Sequence, residues 1–309
     1  MDTFPIRRLS RLGNEALLSS TLAVVELGRG RYEWGVVALL LLSRGAADWV
    51  HGAVIERPVH IRYALSIRAI AQSLDAPYAS VHRYVTAMEE QGLVIAAGKG
   101  FAIANDPATA PAVVAFLTGA HDRLVRLAED LAPDLEVGHP EGDPRPGLLA
   151  ATMAAALDIA LVPYEVAREP ITDWTSKLVW IVIIVANVRH ITINDELSRA
   201  YEVEPTPDDL RAPVNVTRIA AITGLSYGAT FRHCRKLAAQ DVIRYERGGW
   251  VLVSRQLDKS DVDTGVKALL AYYARRIAKL VALGLPIDRI GEAYIGERPS
   301  YAEFDPANC

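Results

Sequence analysis

Apolar and polar positions alternate with a helical period over most of the chain. In Ser66–Leu74, Ile67, Ile70 and Leu74 fall on one face, and Ser66 stands where an N-cap hydroxyl belongs. Asp75-Ala76-Pro77 breaks that run. Tyr78–Gln91 resumes it, with Val81, Val85 and Met88 at helical spacing and Gly92 suited to end the helix. The period then shortens. Leu93-Val94-Ile95 and Phe101-Ala102-Ile103 read as short strands around the Gly-rich turn Ala97–Gly100. The predicted unit is helix, tight turn, helix and β-hairpin.

The same order recurs downstream. Val216–Thr223 predicts a helix, Gly224-Leu225-Ser226 a turn, and Tyr227–Gln240 a second helix. Val242–Tyr245 and Trp250–Val253 predict strands around Arg247-Gly248-Gly249. A shift of 149 residues lays Leu65–Leu131 over Val214–Leu280 without a gap. Identities fall at Ile70/Ile219, Ala71/Ala220, Tyr78/Tyr227, Arg83/Arg232, Gln91/Gln240, Gly100/Gly249, Val113/Val262, Arg126/Arg275 and Leu131/Leu280. Apolar character is matched at Val85/Cys234, Met88/Leu237, Leu93/Val242, Val94/Ile243, Phe101/Trp250 and Ile103/Leu252.

Further helices are predicted at Asn14–Leu27, Tyr32–Leu42, Ala112–Leu131, Leu148–Val162 and Asp173–Val188. Ala112–Leu131 carries the stripe Val113, Leu117, Ala120, Leu124, Leu127, Leu131, and Val266, Leu270, Tyr273, Ile277, Leu280 repeat it. Such a stripe buries against another helix. Ala132–Gly147, with four prolines and three glycines, reads as a linker. The expected division is 1–131, linker 132–147, 148–285, and an irregular tail 286–309. The fold class is mainly α with small β-wings, built by internal duplication. The stripes either pair the two copies as a pseudo-dimer within one chain or pack inside their own domains.

The segment Ser80-Val-His-Arg83 followed by Glu90-Gln-Gly-Leu-Val94 resembles the winged helix-turn-helix of isocitrate-lyase-regulator (IclR) type DNA-binding domains. It is also similar to regulators of the multiple-antibiotic-resistance (MarR) type. The likeness covers about 40 residues in each copy. It is looser in the second, where Asp241 replaces the glycine and Cys234 takes a core position. It implies two tandem winged helix-turn-helix domains and a transcription regulator. In the MarR-type family, helices flanking the winged domain form the dimer interface. No effector domain of the IclR kind is visible.

A recognition helix enters the DNA major groove and reads base edges. With the core positions removed, the first copy offers Tyr78, Ser80, His82, Arg83 and Thr86, with Lys99 at the wing tip. The second offers Ser226, Tyr227, Ala229, Phe231, Arg232, Arg235 and Lys236, with Arg247 at the wing. Arginine pairs bidentately with guanine, hydroxyls meet phosphates or bases, and aromatics meet thymine methyls.

Charge sharpens the ranking. The chain carries 33 Lys+Arg against 37 Asp+Glu, a formal charge of −4, so its body is acidic. Residues 211–255 hold eight Lys+Arg and two acids, a local +6, while 57–101 hold five and three, a local +2. The second copy is expected to carry the stronger electrostatic footprint. Partners implied are double-stranded DNA, with a homodimer and a small-molecule effector left open. The tryptophans Trp34, Trp49, Trp174 and Trp180 suit a core more than a ligand cage.

Other chemistry is weakly represented. With 51% apolar and 23% charged residues, the chain is globular in composition. Its two cysteines, Cys234 and Cys309, allow one bridge and no Cys-based metal site. The seven histidines are scattered, so no metal or cofactor is expected. Gly224-Leu-Ser-Tyr-Gly228 matches G-x-S-x-G, but a nucleophile elbow needs a strand before it, and Ile219–Thr223 reads as helix. No enzyme is expected. The N-terminus lacks a signal-peptide core. The apolar runs Gly35–Leu42 and Leu178–Ala186 fall short of the roughly 18–20 residues that span a bilayer. The expectation is a cytoplasmic, nucleoid-associated regulator without a membrane partner. A plasmid replication initiator and a non-catalytic winged-helix scaffold remain alternatives.

Overall fold

The computed structural model describes residues 4–140, 142–165, 171, 173–253 and 260–301. The chain is mainly helical, at 63% helix, with three small two-stranded antiparallel sheets among the described residues. The first half runs α1 (Ile6–Leu27), α2 (Tyr32–Gly45), the hairpin β1 (Val50–His51) and β2 (Val54–Ile55), α3 (Ile67–Ser73), α4 (Tyr78–Glu90), β3 (Val94–Ala97), β4 (Gly100–Ile103) and α5 (Ala110–Leu131). The second runs α6 (Leu148–Glu165), α7 (Trp174–Thr192), α8 (Asp195–Ala200), α9 (Val216–Thr223), α10 (Tyr227–Ala239), β5 (Ile243–Glu246), β6 (Gly249–Leu252) and α11 (Ser260–Ala282). A 3-10 segment, Ile287–Ala293, follows.

The caps explain where the helices start. The Ser66 hydroxyl accepts from the Ala69 amide at 3.2 Å to open α3, and Asn215 accepts from the Arg218 amide at 2.8 Å to open α9. These capping residues lie 149 apart. The two hairpins share a register under the same shift: Val94 pairs with Ile103 and Ala97 with Gly100, while Ile243 pairs with Leu252 and Glu246 with Gly249. Single bridges Leu65–Phe101 and Val214–Trp250 add a third short strand to each. Left-handed backbone also recurs in step, at Asp75/Gly224, Gly92/Asp241 and Gly98/Arg247. A Cβ on Gly100 would lie 2.5 Å from the Leu65 carbonyl carbon, and one on Gly249 would lie 2.8 Å from the Val214 amide nitrogen. The Gly100/Gly249 identity therefore follows from strands that run too close for any side chain.

The first strand of each hairpin begins one residue later than the sequence suggests, and the second begins one residue earlier, at Gly100 and Gly249. Leu93 is apolar because it is buried, not because it pairs. The β1–β2 hairpin and α8 carry no strong sequence pattern. Ala132–Gly147 has no regular element after a 3-10 turn at Ala132–Asp134, yet it is fastened: Val137 is buried, and the Arg145 amide donates to the Leu283 carbonyl at 2.9 Å. The described part of the tail is held on α5. The Ile295 and Gly296 amides donate to Asp122 at 3.0 and 2.8 Å, and the Tyr294 hydroxyl and Arg298 guanidinium donate to Glu129. The tail reads as irregular in sequence because its order comes from carboxylates on α5.

α1 organises the rest. It packs on α2 and α5 of its own half and on α7 and α11 of the other, while α6 packs on α5, α2 and α11. The flanking helices α5 and α11 thus both cross between halves, and the stripe on each is buried there: Leu117, Leu124 and Leu131 on one, Leu270, Ile277 and Leu280 on the other. α2 touches α4 and β4, and α7 touches α9, α10 and β6, so each second helix carries one helix-turn-helix-hairpin unit; α2 and α7 also touch each other. α7, at 19 residues, is longer than its apolar run suggests. By length and composition it could cross a membrane, but 78% of its most apolar window is buried inside the protein.

α1 buries two charged residues. Arg11 donates to the Tyr201 and Ser198 carbonyls at 2.7 and 2.9 Å, fixing the chain after α8. Glu15 pairs with Arg189 of α7, whose guanidinium lies 4.5 Å from the Tyr301 ring. Burial pushes the Glu15 carboxyl up to about 7, against the opposing pull of Arg189 and Arg126 and with a small push from Asp130. A raised acid binds its proton more tightly folded than unfolded. Its contribution to stability therefore falls as pH rises from about 4.5 through about 7. In melts from pH 5 to 8, Glu15→Gln should gain on the wild type as pH increases. A difference between the two that stays constant with pH would contradict this.

Candidate nucleic-acid interface

The second helix of each unit turns one face into the core and the other to solvent. Val81, Val85 and Met88 of α4 are fully buried, as are Thr230, Cys234 and Leu237 of α10. The outward faces hold the expected residues. Tyr78, His82, Arg83 and Thr86 are exposed on α4, Ser80 is half-buried, and Lys99 is exposed at the β3–β4 tip. Tyr227, Phe231, Arg232 and Arg235 are exposed on α10. Tyr78 is 55% exposed and Tyr227 59%. Tyr78 lies 6.0 Å from His82 and Tyr227 6.4 Å from Phe231, the second pair nearly parallel at 8°. The Arg83 guanidinium lies 5.4 Å from the Tyr84 ring. Arg232 and Arg235 have no hydrogen-bond or ion-pair partner among the described residues.

Several of the remaining residues are already engaged. Ser226 spends its hydroxyl as the N-cap of α10, accepting from the Ala229 amide at 3.3 Å. The helix α9 precedes it, so the G-x-S-x-G string lacks the strand an elbow requires. Lys236 reaches Asp173 at 3.2 Å. Arg247 is exposed, but its guanidinium donates to the Asp209, Asp208 and Arg211 carbonyls at 2.8–2.9 Å. Its side chain folds back on the domain instead of extending from the wing.

The charge count of the second unit shrinks for the same reason. Arg211 is 2% exposed and donates to the Leu252 and Thr206 carbonyls, each at 2.9 Å. Arg244 is held by Asp208 at 2.7 Å and Glu246 at 2.6 Å. Arg255 lies outside the described residues. What is left on the outer face of α10 is chiefly Arg232 and Arg235. Counting charges along a window missed this because Asp173 and Asp208 come from outside it.

Two features were not anticipated. Tyr245 is 64% exposed on β5, its ring edge-on to Trp250 at 5.3 Å. Ile243 and Tyr245 share one face of β5, the first buried and the second exposed, so strand alternation gave no signal for Tyr245. The second feature is the joint between α7 and α10. Asp173 caps α7 through the Thr175 amide, accepts from Ser176 Oγ at 2.6 Å, and meets His233 Nδ1 at 3.2 Å. Ser176 Oγ also lies 2.9 Å from His233 Nδ1. Burial would raise the Asp173 pKa, but hydrogen bonds from Ser176 and Lys236 and the neighbouring His233 hold it below the usual carboxylate value. Serine, histidine and aspartate meet here, but hydroxyl and carboxylate share one ring nitrogen. A nucleophilic relay needs them on opposite nitrogens. The cluster fixes the recognition-type helix on its support.

Among the described residues, no three His, Cys, Asp or Glu side chains gather as metal ligands. No protein-family model, curated protein or solved structure matches this chain.

Cys234 sits in the core of the second unit, fully buried and unpaired among the described residues; Cys309 lies outside them. Burial pushes its thiol up to about 12, which leaves almost no thiolate at neutral pH. With Cys309 replaced by serine, Cys234 should react with a thiol reagent only at the rate of local opening. Rapid labelling in the native protein would contradict its packing.

Proposed function

We propose that the chain is a sequence-specific double-stranded DNA-binding protein that regulates transcription. In this reading two winged helix-turn-helix domains, descended from one duplicated ancestor, pair within a single polypeptide. One observation carries it. The identities shared between the units divide into two kinds. Ile70/Ile219 and Gly100/Gly249 are explained by burial or close backbone approach. Tyr78/Tyr227 and Arg83/Arg232 have no such explanation, because all four are exposed on the outer face of the second helix. Retention of an aromatic and an arginine on that face suits a surface that reads DNA. The likeness to IclR-type and MarR-type domains points the same way. The reading places the protein with the chromosome in the cytoplasm. It assigns no catalytic residue and no cofactor.

Base contacts would come from Tyr78, Ser80, His82, Arg83 and Thr86 in one groove and from Tyr227, Phe231, Arg232 and Arg235 in the next. Lys99 and Tyr245 would approach the backbone from the wings. Lys236 and Arg247 support the domain instead, through Asp173 and the 208–211 carbonyls. In a salt-matched anisotropy titration, Arg232→Ala or Arg235→Ala should weaken binding by ~1–3 kcal/mol, and more than Arg83→Ala does. Equal or reversed effects would reverse the ranking of the two units.

The two reading faces are unlike. Ser80, His82 and Thr86 stand where the other unit has Ala229, Phe231 and Arg235. One chain should therefore cover two unlike half-sites, roughly 10 bp or a multiple apart. Selection from a random DNA pool, with the mass of the complex measured, tests this. A single chain on a non-palindromic site supports the reading. Two chains on a short perfect palindrome, each using one unit, would sink the intramolecular pairing. Repeated iterons would favour a replication initiator, and no selected site at all would favour a scaffold.

A further inference from the structure

The two halves differ in one internal respect. Between α1, α7 and α11 lies a cavity of about 400 Å³, lined mostly by apolar side chains, among them Leu17, Ile181, Val266 and Leu269. A second space, between α1, α5 and α6 and beside Phe116, keeps only about 20 Å³. The 149-residue shift gives the reason. It sets Gly265 of α11 against Phe116 of α5. Phe116 is buried and fills its site, with Arg123 lying 5.7 Å from its ring. Gly265 lines the larger cavity and is itself exposed, and no described atom beyond the adjacent backbone lies within 4 Å of where its Cβ would stand. Glycine in a helix costs roughly 0.5–1 kcal/mol relative to alanine, and its φ here is not one that demands glycine.

The geometry points to this cavity as a binding site for an uncharged, largely apolar small molecule. The volume falls within the range of small-molecule sites, about 300–1,000 Å³. An apolar space of this size offers water few partners. Its wall includes the indole ring of Trp180. The Lys177 ammonium, also in the wall, donates to the Pro163 carbonyl at 2.8 Å and ties the end of α6 to α7 there.

The site is placed to act on α10. Trp180 and Ile181 lie one to two turns along α7 from Asp173 and Ser176, which hold His233 and Lys236. A molecule that binds one setting of α7 more tightly than another shifts the position of α10 by that difference in affinity. This coupling rests on the DNA-binding reading for its purpose, but occupancy of the cavity does not.

The test uses the full chain and Nile red, an uncharged planar dye. Titration should show saturable one-to-one binding with a blue-shifted emission. Gly265→Phe should weaken it about tenfold or more by filling the space as Phe116 does, with the melting temperature unchanged or raised. Leu269→Phe, which narrows the same space from another position, serves if Gly265→Phe misfolds. Absence of saturable binding, or binding indifferent to the filling variants, would overturn the site. Hydrogen exchange over Tyr227–Ala239 should change on dye binding in the wild type and not in Gly265→Phe. Exchange unaltered by bound dye would overturn the coupling to α10. None of these readouts needs DNA, so a failed operator selection leaves them interpretable.

Discussion

The packing of α1 against α7 is the contact on which the rest of the molecule depends. α1 belongs to the first half, yet Leu18, fully buried, joins the core of the second unit with Val179, Val182 and Val185 of α7. The rest of its apolar face, including Leu9 and Val24, joins the larger core built from both halves. One helix therefore completes two cores. Neither half can bury its apolar surface alone, because each uses a helix of the other. The buried Arg11 and Glu15 add direction to that contact, since each needs a particular partner on the segment from α7 to the end of α8.

That arrangement fixes the relation between the two units. α2 and α7 meet, and each carries a helix-turn-helix-hairpin on its far side. A homodimer sets the separation of its recognition helices through an interface that forms only on association. Here the equivalent interface is covalently guaranteed, so it persists at any concentration and needs no dissociation balance. The cost lies in symmetry. In the proposed reading identical halves would be pinned to a palindrome, whereas these units present unlike exposed faces on α4 and α10.

Local features of the fold were legible in the sequence because short-range chemistry decides them. Ser66 caps its helix as the sequence suggests, and the 149-residue shift carries a common ladder register. Asp241 illustrates the limit of residue-type rules. It replaces a glycine and still adopts a left-handed conformation, at φ 58, which aspartate tolerates better than most residues. The candidate site was legible only in part. Which positions face outward followed from helical spacing. Which charges are available did not, because Asp173, Asp208 and the 208–211 carbonyls reach Lys236, Arg244 and Arg247 through the tertiary fold. The β1–β2 hairpin, with two-residue strands, is too short to leave a period. The tail carries no pattern either, because its order is set by Asp122, Glu129 and Asp130 on α5.

In the duplication reading one chain holds two copies of each internal position, and only one copy must remain filled. In the first half Phe116 closes the space between helices, and the core there is continuous. In the second, the glycine at 265 leaves its space open beside Trp180. A symmetric homodimer has no such latitude: a glycine there would open two cavities and lose packing twice. The intramolecular pairing that makes the reading surface asymmetric therefore also allows a single internal site, next to the one joint that holds α10 in place.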